Sequence, residues 1–159
     1  MTKNILNSYL TKRDTARGIV VKDGNLLLID RTRPGMQYYS TPGGGIESGE
    51  TPERAAKREM NEETSLELRI ERKLFEWHEG IHVHHFYLFT YVSGIPCLRE
   101  DAEENINDPH NMHTPRWVSI EEAAKGSFRY WEPVKEIIIQ GAQHGFSENI
   151  KIITTNAEV

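Results

Sequence analysis

Gly44-Gly45-Ile46-Glu47-Ser48-Gly49-Glu50, followed by Arg58-Glu59-Met60-Asn61-Glu62-Glu63-Thr64-Ser65-Leu66, decides how this chain folds. The first half is a glycine-rich turn. The second is a helix carrying three glutamates within one turn. Thr51 can cap that helix, Pro52 suits its first position, and Glu53 complements the positive N-terminal end. The helix is expected to run to Glu63 or Thr64. On a helical wheel Glu59, Glu62 and Glu63 share one face with Ala55 and Ala56. Arg54, Lys57, Asn61 and Thr64 are expected on the opposite side. Acids on the side of the small apolar residues are acids on the packed side. Like charges at this spacing repel by about 0.2–0.5 kcal/mol each on an open helix, and more when buried. Arg58 is one group that offsets the repulsion. A divalent cation is the better one, because carboxylates supply hard oxygen ligands. Gly43, Gly44 and Gly45 let the backbone approach a ligand with no Cβ in the way, and amides in such a turn cradle phosphate oxygens.

Outward from this stretch, 159 residues fit one domain of ordinary size. The expected organisation is an N-terminal arm over 1–14, one folded domain over 15–146 and a C-terminal tail over 147–159. Arg17 to Lys22 and Asn25 to Arg33 are apolar runs joined by Asp23-Gly24, which predicts a tight β-hairpin. Gln37 to Thr41 reads as a short strand. Leu66 to Trp77 and Ile81 to Val92 read as two long strands. The second has Phe86 and Leu88 on one face and Val83, Tyr87, Phe89 and Tyr91 on the other, as an interior strand would. Arg99 to Pro115 is polar and aperiodic, a long loop. Trp117-Val118-Ser119 returns as a strand, Ile120 to Lys125 as a short helix ended by Gly126, and Trp131 to Gln143 as the last helix. This order predicts an α/β sandwich around a mixed sheet.

The longest apolar runs are too short to cross a bilayer, and no signal peptide is visible. The single cysteine, Cys97, excludes an internal disulfide and a cysteine cluster for zinc, and the default setting is cytoplasmic. The net charge of −5 argues against polymeric nucleic acid as a partner. It leaves a small phosphorylated substrate open, because a bound cation reverses the local field.

The quoted residues resemble the signature of the Nudix hydrolases, G-x5-E-x7-R-E-U-x-E-E-x-G-U with U aliphatic. Gly44, Glu50, Arg58, Glu59, Met60, Glu62, Glu63 and Leu66 fall in register. Ser65 stands where the family has glycine, at a modest stability cost of about 1 kcal/mol if the C-cap is left-handed. The resemblance implies an α/β/α sandwich around a mixed β-sheet over nearly the whole chain. It also implies Mg²⁺, with Mn²⁺ as a substitute, on Glu59, Glu62 and Glu63, joined by a loop carbonyl such as that of Gly43. Arg58 would orient a ligand. Glu50 would hold loop to helix or contact metal-bound water, and Gly43, Gly44 and Gly45 would face the substrate. The expected reaction is MutT-like: in-line attack of water on one phosphorus of a diphosphate, with the bridging oxygen leaving.

The general base stays open. Glu62 is a candidate within the signature, and Glu103 or Glu104 in the later polar loop is another. His82 and His84 point to one side of a strand, a spacing that suits zinc, but no clear third ligand accompanies them. They read instead as polar strand or substrate-pocket positions, where a histidine can act as base. Tyr38, Tyr39, Trp77, Tyr130 and Trp131 are candidates for stacking on a nucleobase, but each reads first as a core or ordinary surface residue, since aromatics dominate packing energetics. Three function classes follow. The first is a hydrolase of a nucleoside diphosphate linked to another moiety, such as a nucleoside triphosphate or ADP-ribose. The second is a non-catalytic nucleotide sensor on the same fold, disfavoured by the intact carboxylates. The third is an isoprenoid diphosphate isomerase, disfavoured because Cys97 has no evident catalytic partner. Relatives are often dimers, which leaves a homodimer open.

Overall fold

The computed structural model describes residues 13–100, 108 and 110–155. Among these residues eight strands and three helices follow one another as β1 (Thr15–Lys22), β2 (Asn25–Arg33), β3 (Met36–Ser40), β4 (Gly43–Gly45), α1 (Pro52–Thr64), β5 (Glu67–Glu79), β6 (His82–Ser93), β7 (Met112–Ser119), α2 (Ile120–Lys125), α3 (Glu132–His144) and β8 (Lys151–Thr155). The architecture is a mixed sheet packed against helices, as expected.

β1 is the branch point. Its first six residues run parallel to β6, and Thr15–Arg17 also pair antiparallel with β4. Its last two turn into β2 through Asp23 and Gly24, both at positive φ, the backbone a primed turn requires. β2 then pairs with β3 and β7. One arm of the sheet is therefore β4-β1-β6-β5-β8 and the other β3-β2-β7, and a cleft opens where they diverge.

Two apolar layers hold the arms. Ile19, Phe75, Trp77, Phe86, Val134 and Ile138 form the layer under α2 and α3. Ala16, Val20, Leu27, Ala55, Ala56, Met60, Tyr87 and Phe89 form the layer under α1. Phe86 and Tyr87 thus face opposite ways from one interior strand, and Phe75 stacks on Phe86 with centroids 4.3 Å apart.

Four features differ from the sequence reading. Thr64 is fully buried, not on the solvent side of α1, because it continues the Ala56–Met60 stripe and returns its hydroxyl to the Met60 carbonyl. Gly43–Gly45 is an extended strand against β1, not a free turn. β7 starts at Met112, so the polar loop ends earlier; Pro115 fits opposite Ile29 in that strand. The segment read as a tail supplies β8, which runs parallel to β5 and receives the Trp77 indole N–H on Thr155 Oγ1 at 2.7 Å.

Candidate active site

α1 is capped as its sequence demands: the Thr51 side chain accepts from the Arg54 amide. It ends at Ser65 in a left-handed conformation, φ 56°, with the Ser65 amide bonded to the Asn61 carbonyl. Between those ends Arg58 organises the acids. Its Nε and Nη2 donate to the two oxygens of Glu50, both at 2.8 Å. Nη2 also reaches the Gly45 carbonyl at 3.1 Å. Nη1 donates to Glu59 at 2.9 Å and lies 3.5 Å from Glu62. The bidentate Arg58 contact holds the Glu50 carboxyl down to about 2, and Glu50 in return raises the Arg58 pKa. Glu50 also accepts from the Glu47 amide, so one arginine ties loop 46–50 to the helix.

Glu59 and Glu63 are buried, at 8% and 6% exposure, while the Glu62 side chain keeps 28%. Glu63 accepts from the Gly43 amide at 2.9 Å. Glu59 lies against Gly44 so closely that a Cβ there would sit 2.6 Å from its carboxylate oxygen. Gly43 itself has φ 152° and its added Cβ would meet the β1 backbone, so only glycine fits. The bare strand is what admits two acids to this place.

Those acids form the floor of a cleft of about 480 Å³. Its walls carry Arg13, Thr15 and Arg17 from β1 and the residues before it, Arg31 from β2, Trp77, Glu79 and His84 from β5 and β6, and Arg129 and Tyr130 from the α2–α3 connection. Of the expected site residues, Gly43, Gly44, Gly45, Glu59 and Glu63 line it. Glu62, Glu50 and Arg58 stand behind that floor in the arginine network. Glu103 and Glu104 fall outside the described residues. Among the described residues no three His, Cys, Asp or Glu side chains converge as a metal cluster. Arg58 engages Glu59 and Glu62, and the Gly43 amide engages Glu63. The donor set nevertheless fits a hard divalent cation: carboxylate oxygens, two of them buried beside a strand with no side chains in the way.

His84 lines the cleft, with Nδ1 2.7 Å from Thr15 Oγ1, Nε2 3.3 Å from Glu79, and its ring on Trp77 at 4.7 Å. Burial is the main reason its pKa is lowered. His82 instead meets the Arg13 backbone. Of the five aromatic candidates, Trp77 and Tyr130 reach the cleft. Tyr39 is core with its hydroxyl on Glu122, Tyr38 lies beneath Arg31, and Trp131 is exposed.

Sequence reasoning missed Arg13, Arg17, Arg31, Arg129 and Glu79. The visible flag was a charged residue inside an apolar strand run, Ala16-Arg17-Gly18-Ile19 and Ile29-Asp30-Arg31. A smaller cavity of about 310 Å³ between α3 and the middle of β5 has Leu74, Ile137 and Phe146 in its walls and no carboxylate pair.

Acids and arginines lining one glycine-floored cleft make a site for a polyanionic ligand in an α/β protein. The model of the NUDIX domain matches residues 12–139, and the chain belongs to that family. It is 44% identical over 59 residues to an ADP-ribose pyrophosphatase of Methanocaldococcus jannaschii, 36% of this chain and 35% of that one. It is 34% identical over 96 residues to an 8-oxo-dGTP diphosphatase of Haemophilus influenzae, 55% of this chain and 70% of that one. The chain thus spans about a third of the first relative's length and about two thirds of the second's. In fold it is similar to a Nudix hydrolase from Nitrosomonas europaea, with a TM-score of 0.64 at 17% identity, over 91% of this chain and 80% of that one.

Proposed function

We propose that this chain is a Mg²⁺-dependent hydrolase that cleaves the diphosphate linkage of a nucleoside diphosphate bearing a second moiety. The observation that carries the reading is the pair of buried acids, Glu59 and Glu63, seated against the side-chain-free strand at the floor of an arginine-walled cleft. Glu59, Glu63, Glu62 and the Gly43 carbonyl would hold the ion, and Mn²⁺ would substitute. Bound there, it supplies charge neutralisation of the diphosphate and a more acidic water.

The chain's own residues do the rest. Arg58 fixes Glu59 and Glu62 in angle and keeps their repulsion from splaying the helix. Glu50 locks Arg58 in turn. The glycine strand brings phosphate oxygens close to the backbone. His84, with both ring nitrogens engaged, fits positioning better than proton abstraction. That leaves Glu62, or Glu103 or Glu104 of the later polar segment, as base. Names of relatives point to ADP-ribose and 8-oxo-dGTP as first substrates to try.

The test is a panel of ADP-ribose, 8-oxo-dGTP, dinucleoside polyphosphates and nucleotide sugars with Mg²⁺, following release of nucleotide and phosphate. Glu62→Gln is expected to lose about two orders of magnitude or more in turnover, the usual worth of a ligand or base. Turnover retained in that variant removes Glu62 from the mechanism. No turnover of any compound in the panel, run with Mg²⁺ and again with Mn²⁺, sinks the hydrolase assignment.

A further inference from the structure

Glu62 and Glu63 sit in the last turn of α1, where a helix is least secure. The final carbonyls of a helix have no partner within it. The negative end of the macrodipole also opposes acids, and that turn offers no basic residue of its own. Two side chains that must hold an ion steady therefore lie where fraying begins.

A segment 32 residues and more further along closes that end. Beyond β6 the chain turns at Gly94, φ 108°, whose carbonyl receives the Tyr91 hydroxyl at 2.9 Å. It comes back against Leu66, where a Cβ on Gly94 would lie 3.2 Å from the leucine side chain. The Cys97 amide then donates to the Thr64 carbonyl and the Arg99 amide to the Glu62 carbonyl, both at 2.9 Å. Arg99 Nη1 donates to Asn61 Oδ1 at 2.8 Å, which brings a cation to the negative end of the helix. The Ser65 hydroxyl completes the join by donating to the Cys97 carbonyl at 2.8 Å. At φ 56° glycine would be free of strain. Serine bears some strain there, and what it adds is that hydroxyl.

We propose that Ser65 and Arg99 are positioning residues for the metal-binding turn. They hold residues 97–99 as a strap across the end of α1, and the strap keeps Glu62 and Glu63 in place for the cation. This rests on the Mg²⁺-dependent reading above and gives its acids a second support besides Arg58. Coupling is reciprocal, so a strap that favours the ion is itself favoured by the ion.

The experiment reads Mn²⁺ binding without substrate, from the loss of the free-ion electron paramagnetic resonance signal. Ser65→Gly should raise Kd about threefold, the worth of one ordinary hydrogen bond. Its melting temperature should stay level or rise, because the left-handed strain is released. A role confined to stability gives the same melting temperature with Kd unchanged, so the two readings separate in one variant. Arg99→Gln should raise Kd about fivefold, and Arg99→Lys, which keeps the charge, should recover most of the affinity. Amide exchange read by mass spectrometry tests the reverse coupling: saturating Mn²⁺ should slow exchange over 97–99 in the wild type, and less so in Ser65→Gly. Wild-type affinity in both Ser65→Gly and Arg99→Gln overturns the proposal, as does exchange over 97–99 that ignores the ion. A wild type that binds no Mn²⁺ removes the metal reading itself and this one with it, an outcome distinct from the other two.

Discussion

Gly44 is where a single missing methyl matters most. Its φ is not in the left-handed region, so alanine meets no backbone strain there; the obstacle is Glu59 alone, 2.6 Å from the added Cβ. Glu59 cannot swing away freely, because Arg58 holds it at 2.9 Å. Gly44→Ala should therefore keep the fold at a cost of about 1–3 kcal/mol, the range for overpacking. It should lower Mg²⁺-supported turnover about a hundredfold, as misplaced catalytic groups do. Gly45→Ala is the informative contrast. Its Cβ would meet Arg13, an exposed side chain whose far end can move, so it should cost much less. Steady-state kinetics beside denaturant midpoints on both variants decide the matter. Equal losses would mean that Glu59 is not held against this strand. Ser65, by contrast, was legible as a residue: the helix end forces φ to 56°, and the serine partly offsets the strain by donating Oγ to the Cys97 carbonyl at 2.8 Å.

At the scale of elements, β5 and β6 carry a polar cluster around Glu76 that includes a buried histidine. Lys73 donates to Glu76 at 2.7 Å, His78 meets the other Glu76 oxygen at 3.0 Å, and buried His85 lies 2.9 Å from Lys73. The Lys73 contact, then His78, holds the Glu76 carboxyl down to about 2 from an ordinary 4.5. A depressed carboxylate stabilises the fold fully above its unfolded pKa and stops doing so as pH falls through its folded pKa. Wild type should therefore lose on the order of 1–2 kcal/mol more than Glu76→Gln between pH 5 and pH 2, allowing for solvent screening of a side chain at 21% exposure. Urea midpoints across that range measure it, and parallel curves for the two proteins would refute the linkage. Most elements were legible because their signals are local. The Asp23-Gly24 turn, the Thr51 cap and the apolar alternation of β6 need no distant partner. β7 was misjudged at Met112-His113-Thr114-Pro115 because no alternation marks it; pairing with β2 makes it a strand. β8 has exposed Ile152 and, among the described residues, pairs with β5 alone, so a local signal could not mark it.

For the molecule as a whole, the two halves of the cleft differ in how they are encoded. The acidic half lies within residues 43–63, so its spacing could be read directly from the sequence. The basic half is assembled from β1, β2 and the α2–α3 connection, and only the fork of the sheet at β1 brings Arg17, Arg31 and Arg129 together. The assembled site concentrates opposite charges that the fold must keep apart from one another, and a cation on the floor should tighten the whole. An ion that binds the folded chain alone stabilises it by RT ln(1 + [L]/Kd), about 2.7 kcal/mol at a hundred times Kd. Mg²⁺ should accordingly raise the melting temperature by several degrees in a saturable way. Titration at fixed ionic strength separates this from general screening of the −5 charge. In Glu59→Gln/Glu63→Gln the rise should vanish, because neutral amides are poor ligands for a hard ion. The comparison is each protein with and without Mg²⁺, since the double variant also loses the Gly43 and Arg58 hydrogen bonds and starts from its own baseline. A full Mg²⁺ shift in the double variant would place the ion elsewhere and detach the acidic floor from the chemistry.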